Sequence, residues 1–205
     1  MTTLLVIAKE PRPGRVKTRL TPPFTPREAA ALAEAALVDT LRTVAATPAR
    51  RRVLVFDGVP GPWLPPGFDV VPQCAGGLDE RLADAFAGCD GPALLIGMDT
   101  PQVTSALLTV DFADCDAYVG PAEDGGFWAL GLARPDPELL RGVPMSTPTT
   151  GAVQRERLVM AGLRVRDLPC LRDVDTARDA EAVAASAPHS RFAAELGRFR
   201  VTAGR

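Results

Sequence analysis

Short apolar runs alternate with helix-forming segments along most of this 205-residue chain. Residues 4–8, 53–56 and 93–96 consist only of Ala, Val, Leu, Ile and Phe, a composition that predicts buried strands. Residues 27–46 are rich in Ala and Leu and contain neither Gly nor Pro, which predicts a long helix. The alternation therefore predicts an α/β fold with a mainly parallel sheet, covered by helices on both faces.

The same alternation continues through the rest of the chain. Residues 9–26 contain five prolines, which predict a loop. No repeat, low-complexity segment or convincing linker divides the sequence, so we expect a single domain over residues 1–205. Further strands are predicted at residues 69–71, 117–119, 127–132 and 163–165, further helices at 78–87, 150–161 and 176–186, and one more short helix after residue 189.

Charge and composition argue against several classes of protein. The net charge of −2 provides no basic field to attract a nucleic acid partner. The short apolar run near the N-terminus is too short for a signal peptide or a membrane span, so we expect a cytoplasmic protein with no membrane partner. The four cysteines form no CxxC pair, and the single histidine, His189, argues against histidine-centred catalysis. A homodimer is left open.

Both lysines of the chain lie in one short loop. Of 23 basic residues only Lys9 and Lys17 are lysine, and the other 21 are arginine. Arginine's planar fork does not replace a compact ammonium group, so the pattern indicates that this loop requires lysine. A chance cluster on a solvated loop is the alternative.

Five cations follow the first strand within the run AKEPRPGRVKTRL, residues 8–20. In an open parallel sheet, ligands bind beyond the carboxyl ends of the strands, where this loop is expected. The run has neither the P-loop pattern nor the dinucleotide-binding pattern. The alternative is a solvated basic loop. The residues predicted to bind a nucleotide through its phosphates are Lys9, Gly14, Arg15, Lys17 and Arg19. Arg12 is the fifth cation of the run. Lys17 and Arg19 are also assigned to catalysis.

Two acidic positions predict a site for Mg²⁺ or Mn²⁺. Asp99 follows the buried strand at 93–96, where a carboxylate can hold a divalent ion that bridges nucleotide phosphates. A cap for the next helix is the alternative function of Asp99. A capping box explains Thr176 and Asp179 but not Asp173 and Asp175, and we choose Asp175 as the second metal ligand. Asp99 and Asp175 must then converge from positions 76 residues apart.

Three further segments are candidates for substrate contacts. Residues 120–127, GPAEDGGF, have a hairpin signal, but Glu123 and Asp124 are also candidates to contact the acceptor or the metal, and we assign Asp124 to catalysis. Gly76 and Gly77 precede a predicted helix, where free backbone N–H groups would line the base or ribose, although an ordinary turn explains them as well. Ser146 and Thr147 would supply hydroxyl groups to an acceptor.

The runs AKEPRPGRVKTRL, GMDTP, GPAEDGGF and DVDTARD together resemble a known family, over nearly the whole chain. The chain resembles the radical-SAM/selenodomain-associated glycosyltransferase-like proteins, and more distantly 2-phospho-lactate guanylyltransferase and the CMP-KDO synthetases. The resemblance implies a GT-A-like three-layer sandwich. It places Lys9, Arg15, Lys17 and Arg19 where nucleotidyltransferases grip a triphosphate and implies that Asp99 and Asp175 are metal ligands. Met145 departs from the tryptophan often found there, which weakens the assignment of acceptor contacts.

Three functions fit these observations. Nucleotidyl transfer from an NTP to a small acceptor is preferred, because a triphosphate requires more positive charge than a diphosphate sugar. Glycosyl transfer from an NDP-sugar uses the same aspartates. A non-catalytic nucleotide-binding module is the third, and the retention of both aspartates with the cationic loop argues against it.

Overall fold

The computed structural model describes residues 1–203, which contain one seven-stranded sheet. The order across the sheet is β3-β2-β1-β4-β6-β5-β7. Neighbouring strands are parallel except at β6, which runs antiparallel to β4 and β5. The predicted mainly parallel sheet is therefore confirmed. The strands are β1 (Thr3–Lys9), β2 (Arg51–Asp57), β3 (Asp69–Pro72), β4 (Ala93–Ile96), β5 (Ala117–Pro121), β6 (Phe127–Leu132) and β7 (Val165–Asp167).

Helices cover the sheet on both faces, which confirms the predicted three-layer arrangement. On β1, Leu5 packs in one core with Phe86 of α2, while Leu4 packs in the other core with Leu37 of α1. This division follows from the alternation of side chains along a strand. The helices are α1 (Pro26–Ala46), α2 (Leu78–Ala87), α3 (Ser105–Leu108), α4 (Thr150–Met160), α5 (Ala177–Ser186) and α6 (Arg191–Ala203), with short 3-10 helices at Thr18–Leu20 and Pro137–Leu139.

The start of α1 shows why its predicted boundary was wrong by one residue. Pro26 was predicted to lie in the loop, but it is the first residue of the helix. Proline is tolerated there because its missing N–H would have no partner within the helix. Thr25 caps the helix, and its side chain accepts a hydrogen bond from the Glu28 N–H while Glu28 accepts from the Thr25 N–H.

The last strand is the clearest error in the predicted elements. Residues 163–165 were predicted, whereas β7 spans Val165–Asp167 and pairs with β5 at the edge of the sheet. An edge strand tolerates polar residues such as Arg166, so the apolar pattern ends before the strand does. The four-residue α3 and both 3-10 helices were not predicted because they are too short for a periodic signal.

A third core joins the C-terminal helices to the two segments that carry the candidate site. Leu20, Val174 and Phe192 are at most 2% exposed and pack together with α1. Leu20 follows Arg19, and Val174 lies between Asp173 and Asp175. The packing of α6 therefore fixes the loop after β1 and the acidic segment before α5.

The extent of the predicted domain includes residues 204 and 205, which lie outside the described part of the chain. Within residues 1–203, no helix is both long enough and apolar enough to cross a membrane.

Candidate active site

The carboxyl ends of β1, β2 and β4 lie at one edge of the sheet, because these strands are parallel. β2, the strand that follows β1 in the chain, lies on one side of β1 in the sheet, and β4 lies on its other side. Such a reversal of direction opens a crevice between the two loops. Lys17 from the loop after β1 and Asp99 from the loop after β4 meet in this crevice.

Asp99 and Asp175 converge on the ammonium group of Lys17. The Nζ atom of Lys17 lies 2.6 Å from Oδ2 of Asp99 and 3.0 Å from Oδ1 of Asp175. The Lys17 side chain is only 11% exposed. The expected convergence of the two aspartates is therefore observed, and both contact Lys17 directly.

Backbone contacts hold these acidic groups in position. The Val174 N–H donates a hydrogen bond of 3.0 Å to the Asp99 carbonyl oxygen, which joins the segment before α5 to the loop after β4. The predicted capping box of α5 is present, since Thr176 and Asp179 exchange hydrogen bonds. Asp99 does not cap the next helix, because Thr104 does so.

Asp173 is a third member of the acidic group, and the prediction of metal ligands omitted it. One oxygen each from Asp99, Asp173 and Asp175 can be chosen so that all lie within 4.8 Å of one another. Val174 is buried in the third core, whereas Asp173 and Asp175 on either side of it are partly exposed. The spacing Asp-x-Asp was the signal that could have identified Asp173.

The electrostatics of the site follow from this crowding. Partial burial and the charges of Asp99, Asp124 and Asp175 raise the pKa of Asp173 to about 6. Burial alone would lower the pKa of Lys17, but Asp99 and Asp175 outweigh it and raise that pKa above its ordinary value. Burial opposes ionisation of Asp175 as well, yet Lys17 and Arg19 lower its pKa. The arrangement thus places the ammonium group of Lys17 between the carboxyl groups of Asp99 and Asp175.

Arg19 also contacts the acidic group, but from the solvent side. Its Nη1 atom lies 2.9 Å from Oδ2 of Asp175, and its side chain is 73% exposed. Arg12, the fifth cation of the loop, instead pairs with Glu10 at 2.7 Å, and Glu10 also accepts the Val59 N–H. Its charge is therefore balanced within the loop.

A cleft of about 420 Å³ lies beside this loop. Lys9, Gly14 and Arg15, all predicted to bind phosphate, line it, and Asp57 and Gly58 from the end of β2 form another part of its wall. Lys9 and Arg15 are exposed. The cleft is large enough for a small ligand, and its wall carries three cations, Lys9, Arg12 and Arg15, together with the carboxyl groups of Glu10 and Asp57.

The acidic turn between β5 and β6 lies beside the same group. The predicted hairpin is present, and Oδ1 of Asp124 accepts the Gly126 N–H at 2.8 Å. Asp124 is exposed and close enough for its charge to raise the pKa of Asp173. Glu123 instead forms an ion pair with Arg172. The turn therefore adds the negative charge of Asp124 to the surroundings of the acidic group.

Gly125 is the point at which this turn touches the segment before α4. Its φ is +90°, and a Cβ there would overlap the carbonyl oxygen of Pro148. The Gly125 carbonyl in turn accepts the Gly151 N–H at 2.8 Å. The hairpin turn and the start of α4 therefore fit together only if this residue is glycine.

Gly125→Ala is expected to destabilise the protein by at least ~2 kcal/mol, from positive φ and backbone overlap together. Gly142→Ala is the matched control, since Gly142 has φ +72° but no atom within 4 Å of a Cβ. It is expected to cost only about 1 kcal/mol. Urea unfolding of both variants measures the difference, and equal midpoints would contradict the close-contact explanation.

Two glycines before α2 and two hydroxyl-bearing residues before α4 were also predicted to contact a substrate. The Gly77 N–H was expected to be free for a ligand, but it donates to Glu80 Oε2 at 2.7 Å, because that side chain caps the start of α2. Gly76 has φ +109° and lies against the same carboxylate. Ser146 is exposed, whereas the Thr147 hydroxyl lies within 3.2 Å of the Thr149 and Thr150 hydroxyls.

Solved structures with the same fold come from several organisms. A protein of Desulfovibrio desulfuricans G20, described as a "putative nucleotide-diphospho-sugar transferase", is 27% identical, with 98% of this chain and 96% of that one aligned at a TM-score of 0.86. A CMP:2-keto-3-deoxy-manno-octonic acid synthetase complexed with CTP is 13% identical over 90% and 98% of the chains, with a TM-score of 0.55. A manganese complex from Mycobacterium tuberculosis H37Rv is 22% identical over 89% and 96%, with a TM-score of 0.52.

The sheet order and its helical layers are those of the nucleotide-diphospho-sugar transferase fold. The chain belongs to the family described as "Uncharacterized protein conserved in bacteria (DUF2064)", whose model matches residues 29–147. A comparison with curated protein sequences finds no match. The matched range includes Asp99 and Asp124 but neither the cationic loop nor Asp175, so the function has to be argued from the site itself.

Proposed function

We propose that this protein is a metal-dependent transferase that transfers a nucleotidyl group from an NTP to a small phosphorylated or acidic acceptor and releases pyrophosphate. The observation that carries the proposal is the convergence of Asp99 and Asp175 with Lys17 and Arg19 beside a cleft lined by further cations. Opposite charges in one crevice suit phosphate oxygens on one side and a divalent ion on the other.

The donor set suits a hard divalent cation such as Mg²⁺ or Mn²⁺. Three carboxylates can each place an oxygen within 4.8 Å of the others, and oxygen is the ligand that these ions prefer. Asp99 and Asp175 would hold the ion, with Asp173 as a further ligand. Bound there, the ion would supply Lewis-acid stabilisation of charge on the phosphates. The solved M. tuberculosis structure of the same fold contains manganese, which agrees with this choice.

The residues of the chain itself would bind and orient the donor. Lys9 and Arg15 in the cleft would contact the phosphates, while Lys17 and Arg19 would neutralise charge as the bond to the leaving pyrophosphate breaks. An oxygen of the acceptor phosphate or carboxylate would attack the α-phosphorus, forming the new P–O bond. Asp124 would orient the acceptor. The CTP complex of the solved synthetase supports a nucleoside triphosphate donor for this fold.

Glycosyl transfer from an NDP-sugar is the second candidate function. The D. desulfuricans structure, which aligns with 98% of this chain, carries a description that favours it. The same aspartates would then hold an ion on the diphosphate leaving group. Lys9 and Arg15 in the cleft, with Lys17 and Arg19 in the same loop, would favour a triphosphate, because it carries more negative charge than a diphosphate.

Substrate screening separates these functions. The protein is incubated with Mg²⁺ and each of the four NTPs, together with a panel of phosphorylated acids, and pyrophosphate release is measured. The same protein is incubated with NDP-sugars, and free NDP is measured. Pyrophosphate release that requires an acceptor supports the proposal, whereas free NDP supports glycosyl transfer. Metal-independent nucleotide binding without turnover on any donor would indicate a binding module. The radical-SAM association, the cytoplasmic location, the single domain and a homodimer stay predictions.

A further inference from the structure

The position of Lys17 affects how a metal ion and a nucleotide would bind together. Its ammonium group contacts Asp99 and Asp175, the two residues proposed to hold the metal ion. Lys9, the other lysine of the same loop, is exposed. Lys17 is thus a largely buried cation at the place where a second cation is expected.

Lys17 and Arg19 contact the same carboxylate oxygens that a divalent ion would use. Oδ2 of Asp99 and Oδ1 of Asp175 accept hydrogen bonds from Lys17, and Oδ2 of Asp175 accepts one from Arg19. Three of the four oxygens of these two carboxylates therefore contact a side-chain cation. A divalent ion that used the same oxygens would also be repelled by an ammonium group a few ångströms away.

We infer that Lys17 is a displaceable counter-ion, which holds Asp99 and Asp175 together until a divalent ion arrives with the nucleotide and the ammonium group moves to the phosphates. The inference rests on the proposed function. It makes the binding of metal and nucleotide cooperative, because the phosphates draw the ammonium group away from the carboxylates and the metal ion releases it to the phosphates. Thermodynamic linkage requires this effect to be reciprocal. Metal alone would bind weakly.

The anchoring of the loop allows this exchange without unfolding. Leu20, three residues after Lys17, is fully buried in the third core and fixes the backbone there. The lysine side chain is a flexible four-carbon stem that ends in a compact charge with three hydrogen-bond donors. Its ammonium group can therefore move from the carboxylates to the phosphates by rotation of the side chain. The cleft that begins at Lys9, Gly14 and Arg15 also includes Val16, the residue before Lys17. The cleft proposed for the phosphates therefore reaches the residue next to Lys17 in the chain.

The test is the affinity for Mn²⁺ in the absence of any nucleotide, measured by electron paramagnetic resonance of the free ion. Lys17→Met and Lys17→Gln both remove the charge. Two variants are used so that the test still stands if one of them fails to fold. Arg178→Met is the control for net charge, because Arg178 is exposed on α5. Both Lys17 variants are expected to bind Mn²⁺ at least ~10-fold more tightly than the wild type, since a nearby unit charge is removed from a partly buried site. Arg178→Met is expected to change the affinity less than about twofold.

A second measurement tests the coupling. In the wild type, a bound NTP is expected to tighten Mn²⁺ binding by more than it does in Lys17→Gln. Unchanged or weaker Mn²⁺ binding in both Lys17 variants would overturn the inference, as would equal coupling in the wild type and Lys17→Gln. Failure of the proposed function has a different signature: no NTP binds the wild type, yet the Mn²⁺ affinities of the variants still rise.

Discussion

Asp99→Ala is expected to abolish metal-dependent nucleotide binding, with a loss of at least ~100-fold in affinity or turnover, while the protein stays folded. The side chain is one of three carboxylates proposed to hold the ion, and it is the one in the loop after the central strand β4. The fold is expected to survive because the backbone of Asp99, not its side chain, accepts the Val174 N–H. Calorimetry with Mn²⁺ and nucleotide, together with circular dichroism, checks both parts.

Asp114→Ala is the matched control for that experiment. Asp114 is 79% exposed and precedes β5, so it lies toward the opposite edge of the sheet from the site. Its removal is expected to leave nucleotide affinity unchanged. A similar loss in both variants would mean that net charge rather than coordination explains the effect, and retained metal dependence in Asp99→Ala would contradict the assignment.

Lys17→Ala is expected to weaken nucleotide binding by about 10- to 100-fold, the range that corresponds to the loss of hydrogen bonds to charged groups. Arg178→Ala removes the same charge from the exposed surface of α5 and is expected to change the affinity by less than about twofold. Titration of both variants with each NTP at fixed Mg²⁺ measures the difference. Equal losses would show that the cationic loop acts only through net charge.

The sequence predicted the layers of the fold because buried strands and helices leave strong local patterns. The apolar runs at 4–8, 53–56 and 93–96 lie within β1, β2 and β4 and supply side chains to both cores. The edge strand β7 carries a weaker pattern and was predicted two residues early, and the four-residue α3 was too short to give a periodic signal. Antiparallel β6 lies within a largely parallel sheet because a hairpin turn, rather than a helix, joins it to β5.

Asp99, Asp175 and Lys17 were singled out from the sequence, but Asp173 and the contacts between these side chains were not. Asp99 was predicted at the carboxyl end of a buried strand, and the choice of Asp175 as the second metal ligand then required the two to meet across 76 residues. The pairing of Lys17 with these aspartates was not predicted, since one-dimensional spacing shows that a cation is present but not what balances it. Gly77 was misjudged for a related reason: Glu80, one helical turn later, satisfies its N–H.

A crystal structure of the protein with Mn²⁺ and a slowly hydrolysed NTP analogue tests the central claim most directly. The expected result is a manganese ion, identified by its anomalous signal, bound to carboxylate oxygens of Asp99 and Asp175. The phosphates are expected in the cleft lined by Lys9 and Arg15, with the ammonium group of Lys17 turned toward the phosphates. Manganese bound elsewhere, or phosphates bound away from the loop after β1, would contradict it.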